Sequence, residues 1–147
     1  MKHTVQDLIY KEEAYSIMGG GFAAYRDKGC GFLEPVYQEC LEIEFEYLRL
    51  PAVPKPRPEL RYRDRVLQHG YEPDFVCYGK IILELKAVSA RVDEHRAQVI
   101  NYLNATGFKL GLLVNFGGSP KLEWERMVNT RTPQAGLAVP TPGSFSV

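Results

Sequence analysis

Three charged side chains stand where their neighbours are mostly apolar. Asp74 lies in Tyr71-Glu72-Pro73-Asp74-Phe75-Val76-Cys77-Tyr78, and Glu84 and Lys86 lie in Ile81-Ile82-Leu83-Glu84-Leu85-Lys86-Ala87-Val88. A charge is costly to bury unless it is paired or coordinates a metal. Two chemistries meet that demand. The groups can neutralise one another as a structural ion-pair network, or the carboxylates can hold a divalent cation with the lysine beside it.

Either chemistry requires the three groups to meet in space. Residues 75–78 and 81–88 are two β-type runs around Gly79-Lys80, which predicts a hairpin. Side chains alternate along a strand, so Ile81, Leu83, Leu85 and Ala87 share one face and Ile82, Glu84, Lys86 and Val88 the other. A three-residue turn, Tyr78-Gly79-Lys80, puts Asp74 directly opposite Glu84. A two-residue turn puts it opposite Leu85, on the wrong face. The chemistry therefore requires the longer turn or a bulge. Opposed positions lie roughly 5 Å apart, where two carboxylates repel by about 3–4 kcal/mol at an effective dielectric near 20. Something positive must lie between them: Lys86 alone, or a cation with Lys86 alongside.

The rest of the chain bounds the answer. Its 147 residues, 45% hydrophobic and 24% charged, predict one globular domain over residues 1–130, followed by a Pro-, Gly-, Ser- and Thr-rich tail over 131–147 expected to be poorly ordered. No apolar run approaches a membrane span and the N-terminus lacks a signal-peptide pattern, so a cytoplasmic location and no membrane partner are expected. Cys30, Cys40 and Cys77 are odd in number and show no CxxC spacing, which argues against a disulfide framework and a zinc site. Net charge is zero, so overall balance gives a nucleic-acid partner no support. Locally, Arg49, Lys55, Arg57, Arg61, Arg63 and Arg65 outnumber Glu59 and Asp64. That strip suits a phosphate backbone, and equally the solvated face of an edge strand.

In order, residues 4–27 have helical spacing, with Leu8, Ile9, Tyr15, Ile17, Met18, Phe22 and Tyr25 as the apolar side. Gly19-Gly20-Gly21 predicts a kink there, or a very close packing partner. A second helix opens at Glu34-Pro35, both suited to a first turn, and buries Tyr37, Leu41, Phe45 and Leu48. Pro51, Pro54, Pro56 and Pro58 make an extended connector. A hairpin around Asp64, with arms 59–63 and 65–71, is expected to join the central hairpin as a three-stranded meander. A third helix runs from Asp93 and Glu94 to about residue 105, stopped by Gly107, with Val99, Ile100 and Leu103 facing the core and His95, Gln98 and Tyr102 on one side. An apolar strand over 109–116 and a short one around 126–129 close the pattern.

Four of these segments, in order, resemble the small bacterial GxxExxY proteins within the PD-(D/E)XK, restriction-endonuclease-like nuclease superfamily. They are Gly31-Phe32-Leu33-Glu34-Pro35-Val36-Tyr37, then Pro73-Asp74 with Glu84-Leu85-Lys86, then Gln98-Val99-Ile100-Asn101-Tyr102, and Gly111-Leu112-Leu113-Val114-Asn115-Phe116. The resemblance implies an α/β (α+β) fold with an αβββαβ core, a mixed sheet flanked by helices. It implies a nuclease that hydrolyses phosphodiester bonds with metal-activated water, or a nuclease-fold module that binds nucleic acid or a protein with turnover weak or lost. Asp74, Glu84 and the Leu85 carbonyl would hold Mg²⁺ or Mn²⁺, with Glu34 reaching in from its helix. Lys86 would orient or deprotonate the attacking water, and Gln98 and Tyr102 would position it, the water or a phosphate. Nucleic acid is the implied partner, DNA ahead of RNA, with Arg61, Arg63 and Arg65 along its backbone. Oligomeric state is left open, with a homodimer natural for a small enzyme on duplex.

Overall fold

A computed structural model describes residues 9–90, 93–129 and 145–146. In order, the elements are α1 (Lys11–Lys28), α2 (Glu34–Tyr47), β1 (Ala52–Pro54), β2 (Arg57–Pro58), β3 (Arg61–Tyr62), β4 (Arg65–Val66), β5 (Phe75–Cys77), β6 (Ile81–Lys86), α3 (Asp93–Thr106), β7 (Leu110–Asn115), β8 (Glu123–Val128) and β9 (Phe145–Ser146). The main sheet has the order β1-β5-β6-β7-β8. β1, β5 and β6 are antiparallel, α3 carries the chain across to a parallel β7, and β8 returns antiparallel. The expected mixed sheet and αβββαβ order are both present.

Helices cover both faces, which is why β6 and β7 read as continuous apolar runs. On one face Phe75, Ile81, Leu83, Leu85, Leu112 and Val114 pack with Ile17, Met18, Tyr37 and Leu41 of α1 and α2. On the other, Val76, Ile82 and Leu113 pack with Val99, Tyr102 and Leu103 of α3. Glu84 and Lys86 share parity with Ile82, so they point to the α3 face.

The central hairpin has the longer turn. Phe75 pairs with Leu83, Val76 with Ile82 and Cys77 with Ile81, leaving Tyr78, Gly79 and Lys80 as the turn. Tyr78 and Gly79 take positive φ, 56° and 67°, which glycine adopts without penalty. Extending this register by one residue sets Asp74 opposite Glu84.

Several expectations need correction. α1 is unbroken at its glycines, because Gly20 faces α2: a Cβ there would lie 2.8 Å from the Phe45 ring. Its buried side is Ala14, Ile17, Met18, Gly20, Gly21 and Ala24. Tyr15 and Phe22 are exposed, because a close helix-helix approach selects small residues. Leu48 ends α2 exposed, and Ile100 of α3 is exposed too. The third strand of the meander is β1, from within the proline connector, with Pro54 at the sheet edge where a missing N–H is tolerated. The arginine hairpin is a separate two-stranded ribbon, β3 with β4, turning at Arg63-Asp64. Leu8, residue 130, and residues 131–144 and 147 of the expected tail lie outside the described residues; Phe145–Ser146 pairs with β2. Among the described residues no helix is long and apolar enough to cross a membrane.

Candidate active site

Asp74 ends the loop that enters β5, one residue beyond the last rung of the β5–β6 ladder. Its carboxylate takes the place of the next rung: Oδ2 accepts the Leu85 N–H at 2.7 Å. Oδ1 accepts from the Lys55 ammonium at 2.8 Å. The Asp74 carbonyl accepts from Lys55 N–H at 2.9 Å and from the Gln38 amide of α2 at 3.2 Å. The residue is therefore held through both backbone and side chain, with little freedom to turn away.

Glu84 is 4% exposed, and its Oε2 is buried with no hydrogen-bond partner among the described residues. Burial is the main cause pushing its pKa up, to about 7. The Lys86 and Lys55 charges oppose the shift, and Glu34 reinforces it. Lys55, Lys86, Glu34 and Glu84 therefore share one electrostatic neighbourhood. A buried oxygen without a donor beside a second, immobilised carboxylate is a donor set suited to a hard divalent cation. Hard carboxylate oxygens of this kind fit Mg²⁺ or Mn²⁺, and Asp74 and Glu84 are the side chains that could hold such an ion. Among the described residues, no three His, Cys, Asp or Glu side chains gather as one metal cluster, so Glu34 stands outside this pair.

Lys86 is half-buried at the end of β6, paired in register with Asn115 of β7. It lines a small hollow with His95, Asn115, Glu123 and Glu125. Asn115 fixes the chain that follows Lys86: its side chain donates to the Val88 carbonyl at 2.9 Å and accepts from the Val88 N–H at 3.0 Å. It also donates to Glu123 at 3.1 Å.

Glu34 opens α2, and Tyr37 anchors the approach to it. The Tyr37 hydroxyl donates to the Gly29 carbonyl at 2.6 Å and accepts from the Phe32 N–H at 3.2 Å, and its ring stacks on Phe116 at 4.4 Å. The tyrosine of the Gly31–Tyr37 motif thus fixes a loop. On α3 the Gln98–Tyr102 pair divides. Tyr102 is buried edge-on to Tyr71, centroids 4.9 Å apart, and its hydroxyl has no partner among the described residues. Burial raises its pKa. Gln98 is exposed. Arg61, Arg63 and Arg65 sit on the β3–β4 ribbon, all exposed, with Arg61 paired to Glu59 at 3.2 Å and Arg63 over the Tyr62 ring at 5.7 Å.

Lys55, Gln38 and Asn115 are absent from the set read off the sequence. Gln38 carried a faint signal, a polar residue within a buried helical stripe. Asn115 ends an apolar strand, as many surface residues do. Lys55 stood out only as part of the basic strip, with nothing to tie it to Asp74.

The sequence matches the profile of the PD-(D/E)XK nuclease superfamily over residues 11–127. Among solved structures, the crystal structure of SSO0001 is similar over 90% of this chain and 71% of that chain, at 18% identity and a TM-score of 0.49. No curated protein matches the sequence significantly.

Proposed function

Starting from the chain's membership of the PD-(D/E)XK nuclease superfamily, we propose that it is a divalent-metal-dependent nuclease, acting on DNA ahead of RNA by in-line attack of water on phosphorus. The observation that carries this reading is the buried, unpartnered Glu84 oxygen opposite Asp74. A structural ion-pair network would satisfy that oxygen. Asp74 and Glu84 hold Mg²⁺ or Mn²⁺, with the Leu85 carbonyl as a further ligand and Glu34 in an outer role. The ion supplies Lewis-acid stabilisation of charge on the phosphoryl oxygens and makes a water more acidic.

This chain's own residues do the rest. The Leu85 N–H fixes the Asp74 carboxylate, and Asn115 fixes the backbone beyond Lys86, which sets where the Lys86 ammonium points. From there Lys86 orients the attacking water and stabilises the negative charge building on phosphorus. Gln98, exposed on α3, meets substrate, and Tyr102 backs the site from the core. The β3–β4 ribbon lays Arg61, Arg63 and Arg65 along the phosphate backbone. The Gly31–Tyr37 motif supports placing the chain among the GxxExxY proteins within the superfamily.

The test is cleavage of plasmid, linear duplex, single-stranded DNA and RNA with Mn²⁺ by the wild type, Lys86→Ala and Glu84→Ala. Wild-type cleavage should fall by roughly a hundredfold or more in both variants, with Mn²⁺ affinity retained in Lys86→Ala and lost in Glu84→Ala. Wild-type binding without cleavage of any substrate would favour a binding module built on the nuclease fold.

A further inference from the structure

Lys55 belongs to none of the segments that carry the family resemblance, yet its ammonium is in contact with Asp74 Oδ1 at 2.8 Å. The backbone is committed to the same contact. Lys55 N–H donates to the Asp74 carbonyl at 2.9 Å, and Lys55 takes φ 48°, a left-handed conformation that L side chains seldom adopt. The two partners differ in freedom. The Asp74 side chain is 8% exposed and that of Lys55 51%. Asp74 is also tied through its second oxygen to Leu85. The carboxylate is fixed, while the ammonium can swing into water. The Lys55 charge also reaches Glu84.

A cation therefore already sits on one of the two carboxylates, Asp74, and its charge is felt by the other. We propose that Lys55 is a resident stand-in for the divalent ion: ammonium and ion compete for Asp74 Oδ1, so ion binding and release of Lys55 to solvent are a single exchange. Without the ion, Lys55 keeps the Asp74 charge compensated. With the ion present, ammonium and ion repel each other across one oxygen, which favours release of the half-exposed Lys55 to water. This rests on the reading that Asp74 and Glu84 hold an ion, though not on hydrolysis.

The test uses the full chain without nucleic acid. Mn²⁺ is titrated calorimetrically into the wild type, Lys55→Met and Lys55→Gln, and melting temperatures are read with and without the ion. Both variants should bind Mn²⁺ about tenfold or more tighter than the wild type. They should melt lower than it without the ion, and the gap should close at saturating Mn²⁺. Unchanged or weaker affinity overturns the proposal, as does absence of binding in all three proteins. Should neither variant fold without the ion, wild-type protein with ¹³C-dimethylated lysines is titrated with Mg²⁺. The Lys55 resonance should move towards the position of an unpaired lysine, and a resonance unmoved at saturation overturns the exchange. A protein that shows the exchange but cleaves nothing defeats only the hydrolase reading; one that cleaves with Mn²⁺ but shows no exchange defeats only this proposal.

Discussion

Glu84 concentrates the tension in the site. Its carboxyl, pushed up to about 7 mainly by burial, holds a proton in the folded chain that the unfolded chain releases near the ordinary value of 4.5. The folded state thus binds the extra proton, and the stability this contributes is full below the unfolded value and lost as pH rises through the folded one. The metal-free protein should therefore lose roughly 3 kcal/mol of stability between about pH 4.5 and 8 from this residue. Urea titrations of the wild type and Glu84→Gln across that window test it: the slope against pH should flatten in the variant, and parallel slopes would mean Glu84 ionises normally. Mn²⁺ binding requires the charged form, so stabilisation by the ion should grow across the same window. Little of this was legible from residue types. That Asp74 and Glu84 face each other was readable from turn length and side-chain alternation. That Lys55 would meet Asp74 was not, because the contact joins residues 19 apart across an irregular connector with no periodicity to read.

Among the elements, α1 is where local propensity and tertiary packing pull apart. Three consecutive glycines disfavour a helix by roughly 1 kcal/mol each relative to alanine, and the helix forms through them with Gly20 the one that close contact requires. A Cβ at Gly19 would meet nothing within 4 Å, whereas one at Gly20 would lie 2.8 Å from the Phe45 ring. That ring is itself held edge-on to Phe75 at 5.2 Å. Gly19→Ala should accordingly raise the melting temperature by about 3 °C, while Gly20→Leu should cost about 2 kcal/mol through overpacking. Calorimetric melts decide it, and equal effects at the two positions would contradict the packing argument. The sequence offered both a kink and close packing here, and periodicity could not choose between them. Large apolar residues such as Tyr15 and Phe22 drew the expected buried side away from the small residues that line it. The proline connector hid β1 for a related reason: prolines argue against a central strand but not against an edge.

At the scale of the whole molecule, net charge is zero, so no long-range field gathers a polyanion and any grip must be local. The β3–β4 ribbon, with three exposed arginines, is the candidate for one. Its two ends return to the site, since Lys55 and Asp74, which bracket the excursion, are hydrogen-bonded to each other through backbone and side chain. Replacing Arg61, Arg63 and Arg65 together by alanine should weaken binding across sequences and make the slope of log affinity against log salt shallower by about 2 to 3, with Mn²⁺ affinity unchanged. An unaltered salt slope would take the ribbon out of the interface. The architecture was legible because apolar runs, turn glycines and helix starts each speak locally. That β1 rather than the arginine hairpin would complete the sheet was not, because strand pairing between distant segments leaves no local trace. The central claim remains that Asp74 and Glu84 together hold a divalent ion. Anomalous diffraction from crystals soaked in Mn²⁺ tests it most directly: a peak should lie between these two carboxylates in the wild type and vanish in Glu84→Gln, whereas a wild-type site without a peak, Lys55 still on Asp74, would contradict the account.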